Sequence, residues 1–469
     1  MNKKLFFLQG AIVAVLCGCT LAPQYTRPDA PVPAGWPEGA AYPQSQAATD
    51  APAAVQLKWQ EFIVDPNLRQ VVETALANNR DLRLATLNVE RARAFYGIQR
   101  AELFPAVNAG AGANITRVPG DLSSTGRSAT NERFDVNLGI SAWEIDFFGR
   151  IRSLKDRALE EYLATAEARR SAQILLVSAV TDAYLTTVSN WESLQLAEST
   201  LAAQKADYGL IQRRYAHGIA SGLELHQSQT RVEAARREIA RFTQLTAQSE
   251  NALNLLVGAA VPDALLPRDL GSVTPPREIT PGISSEVLLS RPDIMAGEHR
   301  LKAANANIGA ARAALFPRIS LTTVFGTASS ELSGLFKSGS ESWIFAPQIT
   351  LPIFDARLWS AYDATKIEQE IALSQYEKSI QTAFREVADA LAVRGTVDRQ
   401  LAAQQSLIDA TAETFRLATL RYEKGIDSYL GVLDAQRSLY AAQQVLINIR
   451  LLQFSNQVRL YAVLGGGGD

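Results

Sequence analysis

The chain has 469 residues, 46 Lys and Arg against 48 Asp and Glu, and 47% hydrophobic residues, enough apolar material for a large core without disulfide support. A formal net charge of −2 and the lack of any basic block exclude the electrostatic footprint that nucleic-acid binding requires. The chain has two Cys, three His (His217, His226, His299) and no C-x-x-C, H-E-x-x-H or G-x-x-x-x-G-K-[ST] segment. The common metal, thiol and phosphate chemistries are thereby removed, so no metal or cofactor ligands are assigned, and an enzyme would have to work with carboxylates or hydroxyls alone.

Residues 1–18 read MNKKLFFLQGAIVAVLCG, with Lys3 and Lys4 ahead of an apolar run from Leu5 to Leu16. The run is too short for a permanent bilayer span and has the layout of a signal peptide. Its end, Leu16-Cys17-Gly18-Cys19, resembles a bacterial lipobox, in which the last Cys becomes the lipidated N-terminus. Lipid attachment is thus expected at Cys19. Thr20, not Asp, follows, which in lipoproteins favours the outer membrane. Residues 19–56 are rich in Pro and Ala without apolar periodicity, and predict an extended arm lying on a surface.

Internal similarity organises the rest. RRYAHGIASGLELHQSQ (213–229) returns as LRYEKGIDSYLGVLDAQ (420–436), an offset of 207 residues, and AELFPAV (101–107) returns as AALFPRI (313–319). The reading is two structural repeats, 57–258 and 284–465, joined by a connector at 259–283 and followed by a flexible tail at 466–469. In each repeat a helix of roughly 25 residues (80–104, 292–316) stops at Leu-Phe-Pro, because proline cannot continue it.

Strands come next, expected at about 106–117 and 131–143, then 318–327 and 342–351. Val107, Ala109, Ala111, Ala113 and Ile115 alternate with Asn108, Gly110, Gly112, Asn114 and Thr116; Phe134, Val136, Leu138 and Ile140 alternate with Asp135, Asn137 and Gly139. This is period two, with one apolar and one small polar face. The second repeat alternates likewise, Ile319, Leu321 and Phe325 against Ser320, Thr322 and Gly326, then Trp343, Phe345, Ile349 and Leu351 against Ser342, Gln348 and Thr350. After each strand pair lies a helical run free of Pro, 150–208 and 356–420, about 96 Å long at a rise of about 1.5 Å per residue. A turn at Gly218 or Gly425 reverses it into a returning helix.

Four ten-residue strands with this patterning suit a transmembrane barrel. One chain cannot close it, since edge N–H and C=O groups would stay unpaired in lipid. Symmetric association supplies the closure: a trimer gives twelve strands and leaves room for a passage, where a dimer's eight would fill.

The lipobox, the repeated helix–strand–strand–helix half, the two tip motifs, WEIDFFGR (143–150) and LPIFDAR (351–357) together resemble the TolC family of outer-membrane efflux proteins, in the lipoprotein branch that OprM typifies. The resemblance covers 19–465. It implies a mainly α protein with a trimeric 12-stranded transmembrane β-barrel, continued by a long periplasmic α-helical barrel. It also implies a periplasmic adaptor (membrane fusion) protein and an inner-membrane efflux transporter as partners of the homotrimer. In the family, a Leu and an Asp four residues apart in the second tip constrict the periplasmic end, matching Leu430 and Asp434; the first tip has Leu223 but Gln227 in place of Asp. Gly218, Ser221, Tyr422, Gly425 and Ser428 form the tip turns and the expected adaptor contact.

The function expected is a passive exit duct for drugs or other small organic solutes, without enzymatic activity. The alternative is a structural or adhesive coiled-coil lipoprotein, which gives no role to strand pairs between the long helices. An enzyme built on Glu144 and Asp146 lacks a partner constellation. Soft-metal cargo has little thioether to follow, with Met1 and Met295 alone.

Overall fold

Glycine-poor runs become single unbroken helices and the alternating segments become one sheet. The computed structural model describes residues 20–42, 54, 57–280 and 284–468; the signal peptide expected at 1–18 and the lipidation expected at Cys19 lie outside them. Its elements run α1 (Pro66–Asn78), α2 (Arg80–Ala101), β1 (Val107–Val118), β2 (Ala129–Glu144), α3 (Arg150–Ala216), α4 (Gly222–Val257), α5 (Pro292–Ala313), β3 (Arg318–Ser329), β4 (Glu341–Thr350), α6 (Ala356–Glu423) and α7 (Tyr429–Val463). The second half repeats the order of the first, α5 answering α2, α6 answering α3, and α7 answering α4.

The chain divides into two compact units that cut across the repeats: Met1–Asp29 with Asn88–Thr165 and Ala296–Tyr376, and Ala30–Leu87 with Ala166–Met295 and Glu377–Asp469. Each unit holds matching pieces of both repeats, because the long helices pass from one unit into the other.

In the first unit the four strands form an antiparallel meander in the order β1-β2-β3-β4. Its register builds uniform rows. Ala109, Leu138, Phe325 and Trp343 lie opposite one another across all four strands, and the next row on the other face is Gly110, Asn137, Gly326 and Ser342. Two glycines of the polar face, Gly326 and Gly139, have no room for a side chain. A Cβ on Gly326 would stand 2.2 Å from the Val136 carbonyl oxygen, and one on Gly139 would stand 2.6 Å from that of Thr323. A bulge interrupts the β2–β3 register between Ile140 and Trp143, with Ala142 at φ 51°. Thr322 Oγ1 accepts from the Ala142 N–H at 3.1 Å, which offsets part of the strain of a left-handed alanine.

In the second unit Asp65 caps α1 by accepting from Leu68 N at 2.9 Å, with Pro66 at the first helical position. Asn79 separates α1 from α2; its side chain accepts from Leu82 N and donates to the Leu256 carbonyl at 2.8 Å. The core includes Val180, Tyr184, Leu185 and Val188 on α3 and Val387 on α6. Val180 and Val387, paired by the repeat offset, are both fully buried.

The terminal glycines differ from the flexible tail expected of 466–469. Residues 465–468 are packed, with Gly466 and Gly467 buried. Gln173 donates to the Gly467 carbonyl and Arg170 to that of Gly468. The physical reason is space: a Cβ on Gly466 would fall 2.2 Å from the Tyr461 ring. The run is glycine because it threads against an aromatic face, and low side-chain content does not by itself make a segment loose.

Candidate functional site

Each hairpin tip of the second unit is built by the same local device. Gly218 and Gly425 have φ +70° and +72°, with nothing within 4 Å of where a Cβ would sit. Their requirement is conformational, the left-handed turn that ends α3 and α6. In the first tip Ile219 N donates to the Arg214 carbonyl at 2.8 Å, and in the second Ile426 N donates to that of Arg421 at 2.9 Å. Ser221 then starts α4 with a reciprocal capping box, its Oγ accepting from Glu224 N and its N–H donating to Glu224 Oε2. Ser428 holds the equivalent position before α7 but makes no side-chain cap, and the residue three on is Gly431. The second tip is stapled differently, by an ion pair between Arg421 and Asp427. Arg421 holds the Asp427 carboxyl below the usual carboxylate range.

Between the tips lies a small apolar core of Ile211, Ala220, Tyr429, Val432 and Leu433, with Tyr422 packed against it. Arg214 of the first tip donates to the Tyr422 hydroxyl at 3.0 Å, and the Tyr422 and Tyr429 rings meet at 5.1 Å. Burial pushes the Tyr422 and Tyr429 hydroxyls up in pKa. Asp427 and the core residues Ile211 and Ala220 carried no signal of their own in the sequence, because a tip contact between residues some two hundred positions apart has no local pattern.

Leu430 and Asp434 fall on the face of α7 turned away from this core. Leu430 is 50% exposed, Asp434 is exposed and accepts from Arg437 at 3.1 Å, and Val432 and Leu433 between them are buried. A spacing of four puts the pair on one side of the helix, about one turn apart. Leu223 of the first tip is exposed as well. His226 contacts Gln229 at the surface.

The sheet presents the other unusual surface. Leu138, Phe325 and Trp343, one row across three strands, are 55%, 65% and 73% exposed, and β1 and β4 are unpaired edges. A contiguous apolar face beside open edges is not a soluble surface.

The profile of the family described as Outer membrane efflux protein matches residues 71–259 and 283–466. The chain belongs to the outer membrane efflux protein family. Among its relatives, the toluene efflux pump outer membrane protein TtgF of Pseudomonas putida is 49% identical over 470 residues, 99% of this chain and 98% of that protein. OprJ of Pseudomonas aeruginosa is 44% identical over 472 residues, covering 100% of this chain and 97% of that one. The open state of the Neisseria gonorrhoeae MtrE outer membrane channel superposes with a TM-score of 0.84 at 35% identity, covering 96% of this chain and 98% of that one. This member of the outer membrane efflux protein family therefore has the TolC-like fold and is an outer-membrane component of efflux. The exposed sheet face acquires a solvent suited to it, and the adhesive coiled-coil alternative loses its support.

Proposed function

We propose that the chain is one subunit of a homotrimer whose sheet closes into a 12-stranded barrel, forming the passive exit duct of a tripartite pump for drugs and small organic solutes. The observation that carries the reading is the sheet with one apolar face and two open edges. In lipid every unpaired edge group costs several kcal/mol, and pairing β4 of one copy with β1 of the next removes all edges at once. The small polar row of Gly110, Asn137, Gly326 and Ser342 then lines the passage. A cargo of organic solutes is supported by the relative named for toluene efflux.

The periplasmic gate in this reading is Leu430 and Asp434. Three copies make an apolar constriction and an anionic ring, and mutual repulsion of the carboxylates must be offset by the tip contacts around Tyr422, Gly425 and Ser428. A periplasmic adaptor that binds the open tips better than the closed ones shifts the population towards opening, with Gly218 and Ser221 presented beside it and an inner-membrane transporter supplying cargo. Lipid on Cys19 aids targeting, and the barrel itself spans the membrane.

The deciding experiment is bilayer conductance of the purified protein without adaptor. Leu430→Ala with Asp434→Ala should raise single-channel conductance and admit vancomycin from outside; conductance equal to the unaltered channel would place the constriction elsewhere. A monomer or dimer mass in mild detergent, with stability preserved, would overturn the closure.

A further inference from the structure

The two open edges of the sheet specify how a second copy joins them. Along a strand in an antiparallel ladder, one residue offers its N–H and C=O to the neighbour on one side and the next residue offers them to the other. Ala328 N–H donates to the Ser340 carbonyl at 2.8 Å, and Ile145 N–H to the Ile319 carbonyl at 2.9 Å. Even-numbered residues of β3 therefore bond towards β4 and odd-numbered ones towards β2. Carried through the register, with Phe325 opposite Leu138 and Asn137 opposite Gly110, the same alternation leaves the odd-numbered residues of β1, Val107 to Arg117, and of β4, Glu341 to Ile349, bonding outward from the sheet. Pro347 agrees with this: it is one of the odd-numbered β4 residues, and a proline is tolerated in a strand where its missing N–H would point off an edge.

The outward-bonding residues of both edges also carry their side chains on the apolar face, in the row of Ala109 and Trp343. That face has to continue across the junction, so an odd-numbered residue of β4 must stand opposite an odd-numbered residue of β1. Two registers keep every outward group of β4 within β1: residues 341–349 opposite 115–107, or opposite 117–109. Any other slides a backbone group past an end of β1 and leaves it unpaired. Charge chooses between the two. Arg117 and Glu341 are the only charged residues in the two sets; both are exposed, and neither has an ion partner among the described residues. In the second register they stand directly opposite each other. In the first, Glu341 faces Ile115 and Arg117 lies beyond the last residue of β4.

We propose that β4 of one copy joins β1 of the next with Glu341 opposite Arg117, the ion pair between them fixing the register of the junction between subunits. The inference rests on the trimeric closure proposed above and adds the partner residue for each position. Opposite charges facing each other across an antiparallel pair favour that pairing, and this pair lies two residues outward of Trp343, a residue type that gathers at the membrane–water interface. Below it the bulky side chains of β4 meet small ones of β1, Phe345 opposite Ala113 and Ile349 opposite Ala109. Pro347 stands opposite Ala111 and gives its carbonyl no strand donor, so the junction has one weak rung below its charged clasp.

The test is disulfide formation between copies of the full-length protein in isolated outer membranes. In this register Ser342 of one copy stands opposite Thr116 of the next on the polar face, and in the other register opposite Asn114. Residues directly opposite in such a pair have Cα atoms about 4.5 Å apart, within disulfide reach, while diagonal neighbours at about 7–8 Å are beyond it. Ser342→Cys with Thr116→Cys should give a covalent trimer on mild oxidation that reduction returns to monomer, and Ser342→Cys with Asn114→Cys should give none. Ile344→Cys with Asn114→Cys, also opposite in this register, serves as a second pair should the first impair assembly. Bridging of 342 to 114 in place of 116 would overturn the register and leave the trimer standing. Absence of bridging by any pair in a protein of trimer mass would overturn the register as well, whereas a monomer mass would overturn the closure and the register with it, so the two failures are separable.

Discussion

Arg214 and Tyr422, 208 residues apart, tie the two hairpin tips together: the Arg214 guanidinium donates to the Tyr422 hydroxyl at 3.0 Å and lies 5.1 Å from the centre of its ring. A hydrogen bond of this kind contributes about 0.5–1.5 kcal/mol and a cation–π contact at an exposed site about 0.5–1 kcal/mol. Arg214→Ala removes both and Tyr422→Phe only the first. Both variants should raise bilayer conductance without adaptor, Arg214→Ala more, and the double variant should add little to Arg214→Ala alone. Fully additive effects would show that the two residues act independently.

The strand faces make a second prediction. Leu138 and Phe325 are direct register partners on the apolar face, and either one changed to Arg should destabilise the assembled barrel by about 2–4 kcal/mol near the bilayer midplane. Asn137, one position along, belongs to the small polar row. Asn137→Arg should leave unfolding in urea nearly unchanged and alter ion selectivity. Equal destabilisation by the Leu138 and Asn137 changes would mean that the two faces do not differ in solvent.

A third concerns the arm and pH. Burial raises the pKa of Glu298, but hydrogen bonds and charge from Arg27 and Lys302 outweigh it and hold the carboxyl below the usual glutamate range. With the folded pKa depressed, this contribution is present above the unfolded value of about 4.3 and is lost as pH falls through the folded one. Hydrogen exchange over residues 20–27, corrected for intrinsic rate, should show protection at neutral pH that declines in acid. Glu298→Gln should abolish that decline and lower protection at neutral pH; an unchanged profile would remove Glu298 from the clasp.

The packed C-terminal glycines give the fourth. Gly466→Ala must displace the Tyr461 ring, whose hydroxyl donates to the Leu57 carbonyl. Overpacking of this kind costs about 1–3 kcal/mol, so the thermal midpoint should fall while the conductance of channels that do assemble stays the same. A midpoint equal to that of the unaltered protein would indicate a tail that moves freely.

Much of the architecture was legible because it is local. Alternation at period two in 107–116 and 134–140 is a statement about which side of a pleat each residue occupies. The long stretches without Pro state that nothing stops a helix. A glycine at 218 and again at 425 states that the backbone must turn left-handed there. Repetition of these signals in the same order, at offsets of 207 residues for the tips and 212 for the Leu-Phe-Pro segments, determined two equivalent halves, and open strand edges required association.

Contacts between distant residues were decided only by the tertiary structure. That Arg214 finds Tyr422, that Ala22 needs Gly309, and that β2 bulges at Ala142 where it meets β3 depend on which surfaces meet when segments far apart in the chain fold together. The sequence sets backbone geometry residue by residue, since φ, ψ and side-chain direction are short-range quantities. Pairings across some two hundred residues arise from packing, where space and unsatisfied donors choose among many locally equivalent partners.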